Sequence, residues 1–333
     1  MTAALRPDLD DLRDAACSVH ALLAPTPQYR WPQLEALFAS RPDDGTALWL
    51  KHENHGPVGA FKIRGGIVYF ERLLERGPRP AGVVSATRGN HGQSVGYAAR
   101  RHGLPALVVV PLGNSREKNA AMRALGVELI ERGGDFQESR EHAMALAEER
   151  GWQMVPAFHH DLVAGVASYA LELFESTGPL DRVYVPIGMG SGACGVIAAR
   201  DALGLNTEVI GVVSTGAPAY ALSLARGEPV SHEVTTVLAD GMACRTPEPD
   251  ALAILGAGLT RIVSVTDAQI AAAMRRLYET THQVAEGAGA AALAAAWGER
   301  EQLVGRRSAL ILSGGNIDRE AYAAVLSTAQ DDA

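Results

Sequence analysis

The apolar residues of this chain follow two patterns. Near the N-terminus they recur at the three- and four-residue spacing that predicts an amphipathic helix over residues 8–23. The members of that pattern are Leu9, Leu12, Ala16, Val19 and Leu23. From about residue 80 onward, short continuous runs of Val, Ile and Leu alternate with helical segments instead. Because strands covered on both faces are continuously apolar, this alternation predicts an α/β protein with parallel sheets.

The individual elements follow from the positions of these runs. Strands are predicted at 81–86, 105–111, 127–131, 181–187, 208–213 and 308–313. Helices are predicted at 93–103, 115–125 and 137–150. At 333 residues the chain is long enough for about two domains. The stretch at 71–82, "ERLLERGPRPAG", is the best candidate for a crossing between them.

Charge and cysteine content narrow the class of partner. The net charge is −8, with the charges interspersed, which argues against nucleic acid or an anionic membrane as the main partner. The three cysteines form no CxxC pair, which suits a reducing cytoplasm. The opening "MTAALRPDLDDL" has no apolar core, so we expect no signal peptide. The run "LPALVVVPL" is far shorter than the ~20 residues of a membrane span.

Lys62 in the stretch "VGAFKIRGG" is the first candidate for chemistry. Most lysines lie on the surface, but this one is flanked by Phe61 and Ile63, with Gly65 and Gly66 close by. An amine in apolar surroundings has a lowered pKa, which suits formation of a Schiff base with a carbonyl group.

The second candidate is "SATRGNHGQS", which follows a predicted strand and opens a helix. The start of a helix offers free backbone N–H groups to an anion, and Asn90 and His91 add polar groups there. The carboxyl ends of strands in open α/β sheets are also where ligands bind. A simple capped turn is the alternative interpretation.

A glycine-rich loop, "VPIGMGSGACG", is the third candidate. Gly188, Gly190, Gly192 and Gly195 lie between a strand and a helix, in a pattern typical of phosphate binding. The loop lacks the "GK[ST]" of nucleotide triphosphatases, and no acidic residue stands where a dinucleotide ribose would need one. The sequence therefore favours a phosphate that does not belong to a nucleotide.

Two further stretches stand near the C-terminus. In "LILSGGNID", Ser313 ends a buried strand, where serine is also common in plain turns. The stretch "AEGAGAAALAAAW" predicts a closely packed helix, with Glu286 at its start.

Together these motifs, in this order, resemble the fold-type II pyridoxal-phosphate enzymes, of the tryptophan synthase β-like fold, and most closely the serine/threonine dehydratase and serine racemase group. The resemblance implies that Lys62 holds pyridoxal 5'-phosphate as a Schiff base and serves as the catalytic base. The other implied cofactor-binding residues are Phe61, Asn90, Gly188, Met189, Gly190, Ser191, Gly192, Glu286 and Ser313. The implied substrate-binding residues are Thr87, Arg88, Gly89, Asn90 and His91.

The resemblance also implies the organisation and the reaction. We expect a large domain of residues 1–70 and 159–333, and a small mobile domain of residues 71–158. The reaction expected is dehydration of a 3-hydroxy amino acid to a 2-oxo acid and ammonia by a cytoplasmic homodimer. Because the chain ends soon after Asp318, we expect no regulatory C-terminal domain.

Three positions depart from the family pattern. Arg88 stands where the family loop usually has serine, which is the second acid/base of the racemases. Val213 stands where metal-binding members have glutamate, so no metal is expected. His159 and His160 stand where acidic or polar residues are expected; as a pair they are more often structural, but His159 is a candidate for contact with the substrate.

These departures put threonine in doubt as the substrate and leave other activities open. The alternatives are a β-replacement synthase of the cysteine-synthase kind, an amino-acid racemase, and a pyridoxal-phosphate-binding protein without catalytic activity.

Overall fold

The computed structural model describes residues 7–328 and contains two β-sheets with helices packed around them. The larger sheet has six strands in the order β1-β2-β10-β7-β8-β9, in which only β1 is antiparallel to its neighbour. The smaller sheet has four parallel strands in the order β5-β4-β3-β6. The strands are β1 (Gln28–Arg30), β2 (Ala47–His52), β3 (Val83–Ala86), β4 (Ala106–Val110), β5 (Glu128–Glu131), β6 (Gln153–Met154), β7 (Arg182–Pro186), β8 (Glu208–Ser214), β9 (Arg261–Val265) and β10 (Arg307–Leu312).

Thirteen α-helices are present among the described residues, and they cover both sheets. They are α1 (Leu9–His20), α2 (Pro32–Ala36), α3 (Lys62–Arg76), α4 (Asn90–Arg101), α5 (Arg116–Ala124), α6 (Phe136–Arg150), α7 (His160–Thr177), α8 (Ser191–Ala202), α9 (Ala219–Arg226), α10 (Pro249–Gly258), α11 (Asp267–Thr281), α12 (Gly287–Gly298) and α13 (Arg319–Ser327). None of the helices within residues 7–328 is long and apolar enough to cross a membrane.

The α/β prediction from the apolar runs is confirmed. Every residue of β3 and β4 is buried, as expected for strands covered on both faces. Helix α4 begins at Asn90, three residues before the predicted start at residue 93, because its first turn carries the polar residues Asn90 and His91, which line the cavity described below. The pattern did not indicate β1, β2, β6 or β9. Of these, β1 and β6 are only three and two residues long, too short for an apolar run to show.

Helix α12 confirms the close packing predicted from its alanines. All of its residues from Gly287 to Ala296 are buried. A Cβ atom on Gly287 would lie 2.2 Å from the carbonyl oxygen of Leu238, and one on Gly289 would lie 2.2 Å from that of Gly314. These two glycines therefore let the backbone of α12 approach the loops around the cavity.

The predicted division into two domains stays a prediction. The smaller sheet lies within residues 83–154, inside the predicted small domain of residues 71–158. The predicted boundary at residue 70 falls inside α3. The first half of that helix packs into the core of the larger sheet, and Tyr69 and Phe70 pack into that of the smaller one. Residues 1–6, where the segment examined for a signal peptide begins, lie outside the described residues.

Candidate active site

One cavity receives residues from both sheets. Its walls come from the segments that follow β3 in the smaller sheet and β7 and β10 in the larger sheet, together with the starts of α3 and α12. All of these strands present their carboxyl ends here, which is the usual position of a ligand site in parallel α/β sheets. The cavity is therefore the place where the predicted motifs meet.

Lys62 lies at the start of α3 and reaches into this cavity. Its Nζ donates a hydrogen bond to Ser191 Oγ at 2.8 Å and lies 4.9 Å from the centre of the Phe61 ring. No carboxylate within residues 7–328 forms an ion pair with it. Because the surrounding protein removes water from the amine, the pKa of Lys62 falls to about 8. The neutral, nucleophilic form is therefore available near neutral pH.

The glycine-rich loop joins β7 to α8 at the cavity wall. Gly190 has a φ of +98°, which favours glycine, and a Cβ on Gly188 would lie 2.2 Å from the carbonyl oxygen of Gly241. Two buried tyrosine hydroxyls donate to loop carbonyl groups, Tyr169 to Gly192 and Tyr220 to Met189, each at 3.0 Å. The carbonyl groups are thus engaged on the protein side, while the first N–H groups of α8 have no acceptor within the helix. This arrangement suits a phosphate group.

Asn90 is held at both ends of its amide. Its Nδ2 donates to Glu286 Oε1 at 2.6 Å, and its Oδ1 accepts from Asn316 Nδ2 at 2.9 Å. The same Asn316 nitrogen donates to the carbonyl oxygen of Val58 at 2.7 Å. The orientation of the Asn90 amide is therefore fixed by a carboxylate and a second amide.

Arg88 and His91 bring side chains with unused hydrogen-bonding atoms to the cavity. Arg88 Nε and His91 Nε2 are buried and have no hydrogen-bond partner among the described residues. Burial, aided by the nearby charge of Lys62, lowers the pKa of His91 to about 3, so its ring is neutral at physiological pH. Both side chains are therefore positioned to meet a bound molecule.

Of the remaining predicted residues, all line the cavity except His159. Ser313 follows β10, lines the cavity and accepts a hydrogen bond from Phe61 N at 3.1 Å through its carbonyl oxygen. Thr87, Gly89 and Glu286 also line the cavity. His159 does not line it: its Nδ1 accepts from Asp161 N at 3.2 Å and so caps α7.

Two charged residues that line the cavity, Lys118 and Asp240, were not predicted from the sequence as site residues. Lys118, on α5, is 4% exposed, and its Nζ lies 2.6 Å from Asp240 Oδ2 and 2.8 Å from Glu286 Oε2. Asp240 begins a short 3-10 turn after a long irregular segment, where no pattern marks it. A lysine in a polar helix is ordinarily exposed, so the sequence carried no signal for Lys118.

The donor set fits the cofactor that the motifs imply. A partly neutral amine meets an aldehyde, the N–H groups of a glycine loop meet a phosphate, and the amide of Asn90 and the hydroxyl of Ser313 provide neutral polar contacts for a ring. The close approach at Gly188 shows that the loop has no room for side chains at this point.

Comparisons with known proteins agree with this geometry. A model of the family described as "Pyridoxal-phosphate dependent enzyme" matches residues 20–314. Among curated relatives, the L-threonine ammonia-lyase of Thermotoga maritima is 35% identical over 82% of this chain and 68% of its own length. The L-threo-3-hydroxyaspartate ammonia-lyase of a Pseudomonas species is 32% identical over 87% of this chain and 92% of its own.

A third relative is the biosynthetic L-threonine dehydratase of Haemophilus influenzae, 32% identical over 81% of this chain. This chain spans about half the length (53%) of that relative.

Solved structures give the same result. The processed form of threonine deaminase isoform 2 from Solanum lycopersicum superposes with a TM-score of 0.85 at 26% identity, covering 98% of this chain and 96% of that one. A pyridoxal 5'-phosphate-dependent aspartate racemase superposes with a TM-score of 0.87 at 27% identity, covering 94% and 97%. These matches confirm the resemblance that the ordered motifs carry.

Proposed function

We propose that this chain, which belongs to the pyridoxal-phosphate dependent enzyme family, is a lyase that dehydrates and deaminates a 3-hydroxy amino acid. The observation that carries the proposal is Lys62: a cation without a carboxylate partner among the described residues, held by Ser191 beside a phosphate-binding loop. The alternatives are a β-replacement synthase, an amino-acid racemase and a binding protein without catalytic activity. Each would form different products from this lyase, or none.

Lys62 would hold the cofactor through its amine and would act on the substrate as a base. Bound pyridoxal phosphate supplies an electron sink for the α-carbon of an amino acid. With its pKa lowered to about 8, Lys62 accepts a proton from that carbon at neutral pH, and this proton leaves with the departing hydroxide as water. Ser191, 2.8 Å from the amine, keeps it oriented toward the cavity.

The neutral partner at Ser313 favours elimination. A hydroxyl holds a proton on a ring nitrogen less firmly than a carboxylate does, so charge that develops at the α-carbon is less dispersed. The hydroxide on the β-carbon is then expelled and leaves as water with the α-proton. The unsaturated amine that results is hydrolysed to a 2-oxo acid and ammonia.

Arg88 supports a substrate with a hydrogen-bond acceptor on its β-carbon. Arg88 lines the cavity, its Nε is buried without a partner among the described residues, and no carboxylate of residues 7–328 pairs with it. An arginine fork binds a carboxylate in particular. One relative, the Pseudomonas enzyme, is named for the acidic substrate L-threo-3-hydroxyaspartate, and we propose that this chain also prefers an acidic 3-hydroxy amino acid.

The test is a product assay with purified protein and added cofactor. The panel contains L-serine, L-threonine, L-threo-3-hydroxyaspartate and 3-phenylserine, each with and without an added thiol. We expect 2-oxo acid and ammonia in equal amounts, fastest from the hydroxyaspartate, and unchanged optical purity of the remaining substrate.

Each alternative gives a different result in this assay. Racemised substrate without oxo acid would indicate a racemase, and consumption of the thiol would indicate a β-replacement synthase. Bound cofactor with no turnover on any substrate would indicate a binding protein.

We also propose that the protein is a homodimer in the cytoplasm. Family members are usually dimers, and none of the three cysteines forms a disulfide. Light scattering on the purified protein should give twice the mass of the 35.1 kDa chain, and the mass of one chain would contradict the proposal.

A further inference from the structure

The chain contains only three lysines against 27 arginines, and all three lie in special surroundings. Lys62 reaches into the cavity, Lys51 is fully buried, and Lys118 is 4% exposed although it lies on a helix of otherwise polar sequence. The mechanism proposed above uses Lys62 but gives no role to Lys118.

Lys118 crosses between the two sheets. Its helix, α5, packs on the smaller sheet, whereas its partners Asp240 and Glu286 lie on segments of the larger one. The start of α5 is tied to the same side by Ser115, whose Oγ donates to Asp318 Oδ1 at 2.5 Å. The ammonium is therefore delivered to Glu286 only when α5 lies against the larger sheet.

Glu286 is the link between Lys118 and Asn90. One carboxylate oxygen, Oε1, accepts from Asn90 Nδ2 at 2.6 Å, while the other, Oε2, lies 2.8 Å from Lys118 Nζ. Only an acceptor at Oε1 is compatible with the amide orientation that Asn316 also requires. Burial and the neighbouring Asp240 raise the pKa of Glu286, and the charge of Lys118 opposes this rise.

A second contact joins Lys118 to the Asn90 loop directly. Gly89 has a φ of +152°, and a Cβ there would lie 2.4 Å from Lys118 Cδ and 3.1 Å from Lys118 Cβ. The stem of the lysine therefore lies across the residue that precedes Asn90. The position of the Lys118 side chain therefore affects the loop before Asn90 through packing as well as through charge.

We propose that Lys118 is a positioning residue: it keeps Glu286 an acceptor and thereby fixes the Asn90 amide that faces the cofactor. Only the activity measurement for this role rests on the proposed function. Binding of the cofactor tests the role of Lys118 without any reaction. Removal of the ammonium leaves a buried carboxylate that takes up a proton on either oxygen, and a proton on Oε1 turns the acceptor that Asn90 needs into a donor.

The test is a double-mutant cycle with Lys118→Met and Glu286→Gln. Glutamine still offers an acceptor to Asn90 but needs no cation, so Lys118 should become dispensable in its presence. We expect Lys118→Met alone to weaken binding of pyridoxal phosphate and to lower kcat/KM by roughly 10- to 100-fold each. In the Glu286→Gln background the same change should cost less than about threefold.

Ser115→Ala is the matched control on the same helix. It removes the side-chain contact with Asp318 and the cap of α5, but the backbone N–H groups of Arg116 and Glu117 still donate to Asp318, so α5 stays in place. The variant should therefore lower the melting temperature and leave cofactor affinity within about twofold. If Lys118→Met does not fold, Lys118→Gln takes its place in the cycle, because it also removes the ammonium.

A purely structural role for Lys118 gives the opposite pattern. The double variant would then bind the cofactor no better than Lys118→Met, and Ser115→Ala would weaken binding as much as Lys118→Met does. Either result overturns the proposal. Failure of the proposed function is distinct: cofactor binding would follow the expected cycle while no substrate is consumed.

Discussion

Two clusters of buried charge differ in how completely their charges are matched. The core charge cluster, formed by Lys51, Glu53, Arg64 and Glu172 between α1, α3, α7 and β2, has two cations and two carboxylates. The cavity charge cluster, formed by Lys118, Asp240 and Glu286, has one cation for two carboxylates.

The pKa values of the carboxylates follow this balance. Burial opposes ionisation of Glu172, but Arg64 and Lys51 outweigh it and lower its pKa to about 2. At Glu286 burial prevails over Lys118, and the pKa is raised. Lys62 and Arg88 are still less compensated, because neither has a carboxylate partner among the described residues. Full compensation is what a structural role requires, and we expect the groups without it to be the ones that meet a ligand.

The largest effect is expected at Lys62, which has no carboxylate partner among the described residues. Lys62→Ala should abolish turnover, by at least about 10²–10⁴-fold, and remove the visible absorbance of the bound cofactor while the melting temperature stays near that of the parent. Lys62→Arg keeps the charge but offers no amine of suitable pKa, so it should be equally inactive. A Lys62→Ala protein with its colour and full activity would remove the basis of the proposed mechanism.

The core charge cluster should respond in stability instead. Glu172→Gln leaves Arg64 and Lys51 short of a buried carboxylate, and we expect the free energy of unfolding to fall by about 3–5 kcal/mol, with activity per folded molecule retained. Glu208→Gln, which breaks the more exposed pair with Arg182, is the control and should cost about 0–1 kcal/mol.

The pH dependence of this loss has a definite sign. The folded pKa of Glu172 is lowered from 4.5 to about 2, so its contribution to stability is complete above about pH 4.5 and is lost as the pH falls toward 2. Denaturant titrations should therefore show parent and Glu172→Gln converging over that window. Curves that stay parallel from pH 6 to pH 2 would contradict the matched-charge interpretation.

Sequence alone could predict the local parts of this molecule. The strands β3, β4, β7, β8 and β10 and the glycine loop are visible because burial and turn geometry act on neighbouring residues. The contacts that complete the cavity join residues far apart: Lys118 meets Asp240 across 122 positions, and Asn90 meets Glu286 across 196. No periodic pattern encodes such pairs. His159, predicted as a candidate for contact with the substrate, serves as the cap of α7 and is not among the residues that line the cavity.

Arg88 should give the next largest effect, and its size should depend on the substrate. Arg88→Ser should lower kcat/KM by roughly 10- to 100-fold on an acidic 3-hydroxy amino acid, because a charge-assisted hydrogen bond contributes about 1.5–3 kcal/mol. The loss should be smaller on serine or threonine, which have no distal acceptor. Equal losses on all substrates would leave Arg88 with no part in side-chain recognition.

Arg88 should also prevent racemisation in the parent protein. A guanidinium remains charged and has no acceptor, so it cannot take a proton on the second face of the substrate. The optical purity of leftover substrate measures this directly. Racemised substrate from the parent protein would refute it.

Ser313 is proposed as a neutral partner of the cofactor. Ser313→Asp would make that partner anionic and should alter the products more than the stability. A carboxylate holds a proton on the ring nitrogen, so elimination should slow relative to side reactions such as transamination. The ratio of oxo acid formed by elimination to aminated cofactor measures the change. An unchanged ratio would reduce Ser313 to a turn residue.

The smallest effect is expected from removal of metal ions. The side chain of Val213, on the buried strand β8, has no oxygen atom, and hard divalent cations need oxygen ligands. The grouping of His159, His160 and Asp161 has its ligand atoms within 4.8 Å of one another, but the carboxylate of Asp161 is already bound by Arg72 and Arg76. In the cavity, Lys118 holds Asp240 and Glu286 in the same way. Treatment with a chelator should therefore leave activity and melting temperature unchanged, and a loss that magnesium or calcium restores would show that a carboxylate of one of these groups exchanges its cationic partner for a metal.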